Sequence, residues 1–79
     1  LVRYGPVRLA LELKVWRDGS KDPLAEGLGQ LDSYLHGLGL PTGWLVIFDQ
    51  RSGLPDISER VTTEQAKTPS GRAVTVIRA

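Results

Sequence analysis

The chain has 79 residues, a net charge of +1, no cysteine and 41% apolar residues, enough for one small domain that buries only about 60% of its unfolded surface. The near-neutral balance supplies no strong field for nucleic acid or a membrane surface, and the missing cysteines exclude a disulfide framework and a thiolate metal site. No apolar run approaches the roughly 18 residues of a membrane span and no signal peptide is recognisable, so the chain reads as cytoplasmic with no membrane partner.

Residues 1–4 form a short apolar and aromatic strand stub, broken by Gly5 and Pro6 in the manner of a hairpin turn. The chain begins without methionine inside this run, which reads as a piece of a longer protein. Residues 7–16, V-R-L-A-L-E-L-K-V-W, alternate without a break. Val7, Leu9, Leu11, Leu13 and Val15 share one face of a strand, and Arg8, Ala10, Glu12, Lys14 and Trp16 the other. Glu12 and Lys14 therefore point the same way, about 6–7 Å apart along the strand.

A polar loop follows, and Asp22-Pro23 reads as an N-cap with proline at the first helical position. The predicted helix covers 23–37. Leu24, Leu28, Leu31, Leu35 and Leu38 make one apolar stripe for the sheet, with Gly37 or Gly39 as the left-handed cap. Gly27 and Gly29 weaken the helix but permit close backbone approach to a strand. Residues 44–49, W-L-V-I-F-D, are apolar without alternation, the pattern of an interior strand covered on both faces. Strand, helix and strand in this order predict parallel strands and a right-handed crossover, hence an α/β class with a mixed sheet. Residues 50–67 fit either a loop and an edge strand or one helical turn from Ser58. Thr68-Pro69-Ser70-Gly71 is a turn, and 73–78 a closing strand paired with its predecessor. The whole chain, 1–79, reads as a single domain fragment.

Glu12 and Lys14 read most simply as a solvated strand face that discourages edge pairing. Under a covering helix, however, a carboxylate needs a cation or hydrogen bonds, because a buried unpaired charge costs several kcal/mol. His36 reads as a solvent-facing residue near a helix end, Trp16 and Trp44 as strand-end core, and Arg17, Lys21 and Arg51 as solvated.

Glu12-Leu13-Lys14 on a strand, Gln30 and Tyr34 in Q-x-x-x-Y spacing on the next helix, and the strand from Trp44 to Asp49 resemble, in this order, the PD-(D/E)XK nuclease superfamily. The resemblance covers most of the chain and is closest to RecB-like and AAA-ATPase-associated nuclease-like domains. It implies a partial restriction-endonuclease-like core and metal-dependent hydrolysis of DNA phosphodiesters by the parent protein. Glu12 would be a metal-binding carboxylate and the Leu13 carbonyl a further oxygen ligand for Mg²⁺ or Mn²⁺, weakly held by this chain alone. Lys14 would position or activate water and offset phosphate charge, with Gln30 and Tyr34 over the site. The implied partners are nucleic acid, DNA first, and an ATPase domain in the same parent chain. The family's other metal ligand is an aspartate near the preceding strand, yet residues 1–11 hold no Asp or Glu. An upstream aspartate in the parent favours the enzyme, and its absence favours a non-catalytic nuclease-like module that mediates protein contacts beside an ATPase. A plain structural fragment is the third reading.

Overall fold

A computed structural model describes residues 2–4 and 7–79, with side chains from residue 10 onward. Its strands are β1 (Val2–Tyr4), β2 (Val7–Leu9), β3 (Leu11–Trp16), β4 (Thr42–Asp49), β5 (Thr62–Lys67) and β6 (Ala73–Arg78), and its helix is α1 (Leu24–Leu38). The class is α/β. A four-stranded mixed sheet runs in the order β3-β4-β6-β5. β3 is parallel to β4 and β4 to β6, while β5 pairs antiparallel with β6 at the edge. Two strands that run parallel as neighbours need a long connection, and α1 lies within the one between β3 and β4.

The Asp22 carboxylate accepts the Leu24 amide at 3.0 Å, and the first helical bond runs from the Gly27 amide to the Pro23 carbonyl at 2.8 Å. Gly39, at φ 67°, ends the helix. Its amide and that of Leu40 return to the carbonyls of His36 and Leu35, the paired bonds of a Schellman motif. The leucine stripe meets the sheet as expected: Leu31 and Leu35 are buried with Leu45, Ile47, Val74, Val76 and Ala10, and Leu24, Leu28 and Leu38 pack around them. Two glycines set the helix-to-sheet distance. A Cβ at Gly27 would lie 2.8 Å from Leu45 Cδ1, and one at Gly43 would lie 3.2 Å from methyls of Leu31 and Leu35. Gly29 has open space around it, so the close approach is the work of Gly27 alone within the helix.

Three expectations need correction. The strand 7–16 is broken at Ala10: β2 pairs antiparallel with β1, β3 pairs with β4, and the Ala10 carbonyl accepts the Trp44 amide at 2.9 Å. Alternation persists across this point while the partner strand changes, so the sequence shows no seam. The helix spans 24–38, one residue later than predicted, and β4 begins at Thr42 rather than Trp44. β4 is interior in strand order, but only one of its faces is covered. Leu45 and Ile47 are fully buried, whereas Trp44 and Phe48 are 41% and 38% exposed, beside Leu13 and Val15 at 56% and 41%. An unbroken apolar run reports what a strand can tolerate, and among the described residues one helix covers one side.

Residues 50–67 combine both alternatives, a 3₁₀ turn at Ile57–Glu59 and the edge strand β5. The closing strand lies at Ala73–Arg78, antiparallel to β5. Leu1 and the Gly5-Pro6 turn lie outside the described residues, as do the side chains of the expected face from Val7 to Leu9. No helix among the described residues is long and apolar enough to cross a membrane.

Candidate functional site

Register decides which way the acid and base of β3 point. Glu12 lies opposite Leu45 and Lys14 opposite Ile47; neighbours in a parallel pair share a face, and Leu45 and Ile47 are core residues under α1. Glu12 and Lys14 thus share the helix-facing side, and the apolar set Leu11, Leu13 and Val15 takes the open one. β4 and β6 decide this inversion, because Leu45, Ile47, Val74 and Val76 commit the sheet to the helix and β3 follows in register.

Lys14 resolves its burial by its length. Its Cγ passes 3.4 Å from the position of a Gly27 Cβ, and its Nζ donates to Glu26 Oε1 at 2.9 Å. The stem covers the helix backbone and the ammonium emerges at the rim. The side chain is only 18% exposed and that of Glu26 59%. The Lys14 hydrogen bond, followed by its charge, holds the Glu26 carboxyl below its ordinary range. Gln30 Nε2 donates to the same Glu26 oxygen at 3.4 Å, so Lys14, Glu26 and Gln30 form one linked group. Glu12 is half-buried, and among the described residues it has neither a hydrogen-bond nor an ion-pair partner. The ammonium that shares its face is engaged by Glu26.

Tyr34 stands apart from that group. It is 57% exposed and walls a hollow of about 450 Å³ together with Ala10, Leu11, Ser33, Gly37 and Leu38. The Leu13 side chain is on the open face, but its carbonyl has a different aspect. The carbonyls of Ala10 and Trp16 accept amides of Trp44 and Gln50, and carbonyls alternate along a strand, so that of Leu13 points to the outer edge of β3. His36 is exposed near the end of α1, in a separate shallow hollow with Pro41 and Arg72. Trp16 packs against the core, while Trp44 is on the open face.

Glu26 precedes Gln30 and Tyr34 at spacings of four on α1, but its tie to Lys14 spans 12 residues and leaves no local pattern. A second polar cluster had no signal at all. Arg51, expected to be solvated, grips Asp49 with Nε and Nη2 at 2.9 and 2.7 Å and lies 3.6 Å from the Trp16 ring centroid. The Arg51 hydrogen bonds are the main cause that brings the Asp49 pKa down to about 2. Arg78 bridges Asp22 at 3.0 Å and Glu64 at 2.8 Å. These charges neutralise one another near the carboxyl ends of β4 and β6, and Arg78 ties the residue before the helix to both strands of the closing hairpin. At the other end Asp32 accepts from Ser70 at 2.5 Å and Arg72 at 3.1 Å, with the Ser70 bond foremost in holding its pKa at about 2.

Among the described residues no group of three or more His, Cys, Asp or Glu side chains is placed to hold a metal ion. The Glu12 carboxylate and the Leu13 carbonyl are hard oxygen donors of the kind Mg²⁺ prefers, yet they fill only a minority of an octahedral shell. No family model matches this chain, and no curated protein and no solved structure matches it significantly.

Proposed function

We propose that this chain is the strand–helix–strand core of a metal-dependent nuclease, with a restriction-endonuclease-like right-handed crossover, and that it contributes the Glu12 and Lys14 half of the site. The observation that supports this reading is that an acid and a base two residues apart share the helix-covered face of β3, with Gln30 reaching the same rim through Glu26. A solvated strand face gives no reason to hold a lysine at 18% exposure.

Glu12 and the Leu13 carbonyl would hold Mg²⁺ or Mn²⁺ loosely. When bound, such an ion polarises a phosphoryl oxygen and lowers the pKa of its water. Lys14 acts as the base that positions or activates the attacking water, and it offsets charge on the phosphate as a compact point charge. Glu26, mostly exposed, keeps the ammonium at the rim and gives way to the incoming phosphate. Gln30 and Tyr34 line the helix side. The remaining carboxylate comes from elsewhere in the parent protein, and the substrate is DNA.

One observation favours a second reading, a non-catalytic module that makes protein contacts beside an ATPase: the open face carries Leu13, Val15, Trp44 and Phe48 in adjacent strands, and contiguous exposed apolar patches mark interaction sites. The discriminating experiment is DNA cleavage by the intact protein in Mg²⁺ and Mn²⁺. Wild-type cleavage that disappears in a folded Glu12→Gln variant supports the nuclease. Unchanged cleavage in that variant removes Glu12 from the site, and an inactive wild type on DNA and RNA substrates favours the module.

A further inference from the structure

The two edges of the four-stranded sheet meet solvent differently. β5 closes one edge with Thr62, Thr63, Glu64, Gln65 and Lys67 all exposed, the polar guard that keeps edge strands from pairing. β3 forms the other edge and has no strand on its outer side among the described residues. The Ala10 and Trp16 carbonyls bond inward to Trp44 and Gln50, so the N–H and C=O groups of Leu11, Leu13 and Val15 face outward as an open ladder. The hollow beside Tyr34 opens on this same side, since its walls come from Ala10, Leu11 and α1 and none from β4.

Register decides what strand fits that ladder. In an antiparallel pair, outward residues oppose one another and exchange hydrogen bonds, while the residues between them form closer pairs without such bonds. For β3 of a second copy, related by a two-fold axis, centring the axis on Leu13 sets Leu11 against Val15 and uses every outward group. The same setting places Glu12 opposite Lys14 of the partner subunit, on the helix-covered face, once on each side of the axis. Centring the axis on Glu12 or on Lys14 instead opposes like charges and shortens the ladder. Opposite charges across a strand pair stabilise it, and like charges destabilise it. Glu12 is half-buried and has no partner among the described residues. The Lys14 ammonium has three donors, so it can keep Glu26 at 2.9 Å and bond a second carboxylate.

We infer that β3 pairs antiparallel with β3 of a second copy of this chain across a two-fold axis at Leu13, joining two four-stranded sheets into one. Glu12 and the Leu13 carbonyl are the oxygens that the nuclease reading gives to an ion. Self-pairing therefore belongs to the metal-free protein, and it stands or falls separately from that reading.

The test is sedimentation of the intact protein in EDTA over a range of concentrations. Wild type should pass from monomer to dimer with a roughly micromolar dissociation constant, the scale of a small interface. Leu13→Pro, which removes an outward N–H from an edge strand, should fold and stay monomeric. Glu12→Lys and Lys14→Glu should each weaken self-association by about 5-fold or more. An equal mixture of these two variants should associate as wild type does, because every close charge pair is again unlike. A wild type that stays monomeric overturns the inference, as does a mixture no tighter than its separate components or a dimer that survives in folded Leu13→Pro. Cleavage in Mg²⁺ by a protein that is monomeric in EDTA overturns it and leaves the nuclease reading standing. Dimerisation with this charge pattern and no cleavage in any metal supports it and removes the nuclease reading.

Discussion

At the scale of single residues, the polar side chains divide into those that lock the fold and those left over for chemistry. Asp49 and Asp32 belong to the first group, because each is held at about pKa 2 by donors from Arg51 and from Ser70 with Arg72. A depressed carboxylate stabilises the fold fully above its unfolded pKa of about 3.9 and loses that contribution as pH falls through its folded value. The urea midpoint should therefore drop between about pH 4 and pH 2. Asp32→Asn should lower the midpoint at pH 7 and flatten the change below pH 4, so that variant and wild type converge near pH 2; parallel curves would show that Asp32 is not a lock. Glu12, half-buried on the helix-covered face, has no such partner among the described residues. It was legible from alternation alone, whereas the engagement of Lys14 by Glu26 was not, because it depends on how β3 docks beneath α1.

At the scale of elements, the helix was readable because its signals are local: Asp22 and Pro23 at the start, leucines at spacings of three and four, and Gly39 at the end. What the sequence could not supply was the seam at Ala10, where the partner strand changes while the alternation continues. It also gave no means of ranking Gly27 against Gly29, which look alike in the helix and differ in what lies beneath them. A methyl at Gly27 would sit 2.8 Å from Leu45 Cδ1, but one at Gly29 meets nothing within 4 Å. Leu45 is fully buried and has little room to yield. Gly29→Ala should stabilise the protein by about 0.5–1 kcal/mol through helix propensity. Gly27→Ala should destabilise it by about 1–2 kcal/mol, since overpacking of about 1–3 kcal/mol exceeds the same propensity gain. Denaturant unfolding of the pair checks this, and a stabilising Gly27→Ala would contradict the tight contact between α1 and β4.

For the whole molecule, the one helix among the described residues covers one side of a mixed, largely parallel sheet and gives the two faces very different energetics. Parallel sheets are ordinarily covered on both sides, and the run from Trp44 to Phe48 carries that expectation in its composition. The sequence thus recorded the strand's tolerance for burial, while the face that is covered was fixed by the shared register of Leu45, Ile47, Val74 and Val76. Leu45→Ala should cost about 2–5 kcal/mol, as fully buried leucines do. Leu13→Lys, on the open face, should change stability by less than about 0.5 kcal/mol. Equal losses for both, measured by urea unfolding, would mean that the open face is packed in the folded protein.

The central claim, that Glu12 and Lys14 form half of a phosphodiester-cleaving site, is tested most directly by single-turnover DNA cleavage by the intact protein with Lys14 varied and the fold checked by circular dichroism. Lys14→Ala should fold and lose about 10²–10⁴ in rate, the range for a general acid–base contribution. Lys14→Arg should recover little, because a guanidinium keeps the charge but cannot release a proton near neutral pH. Undiminished cleavage by a well-folded Lys14→Ala protein would contradict the account.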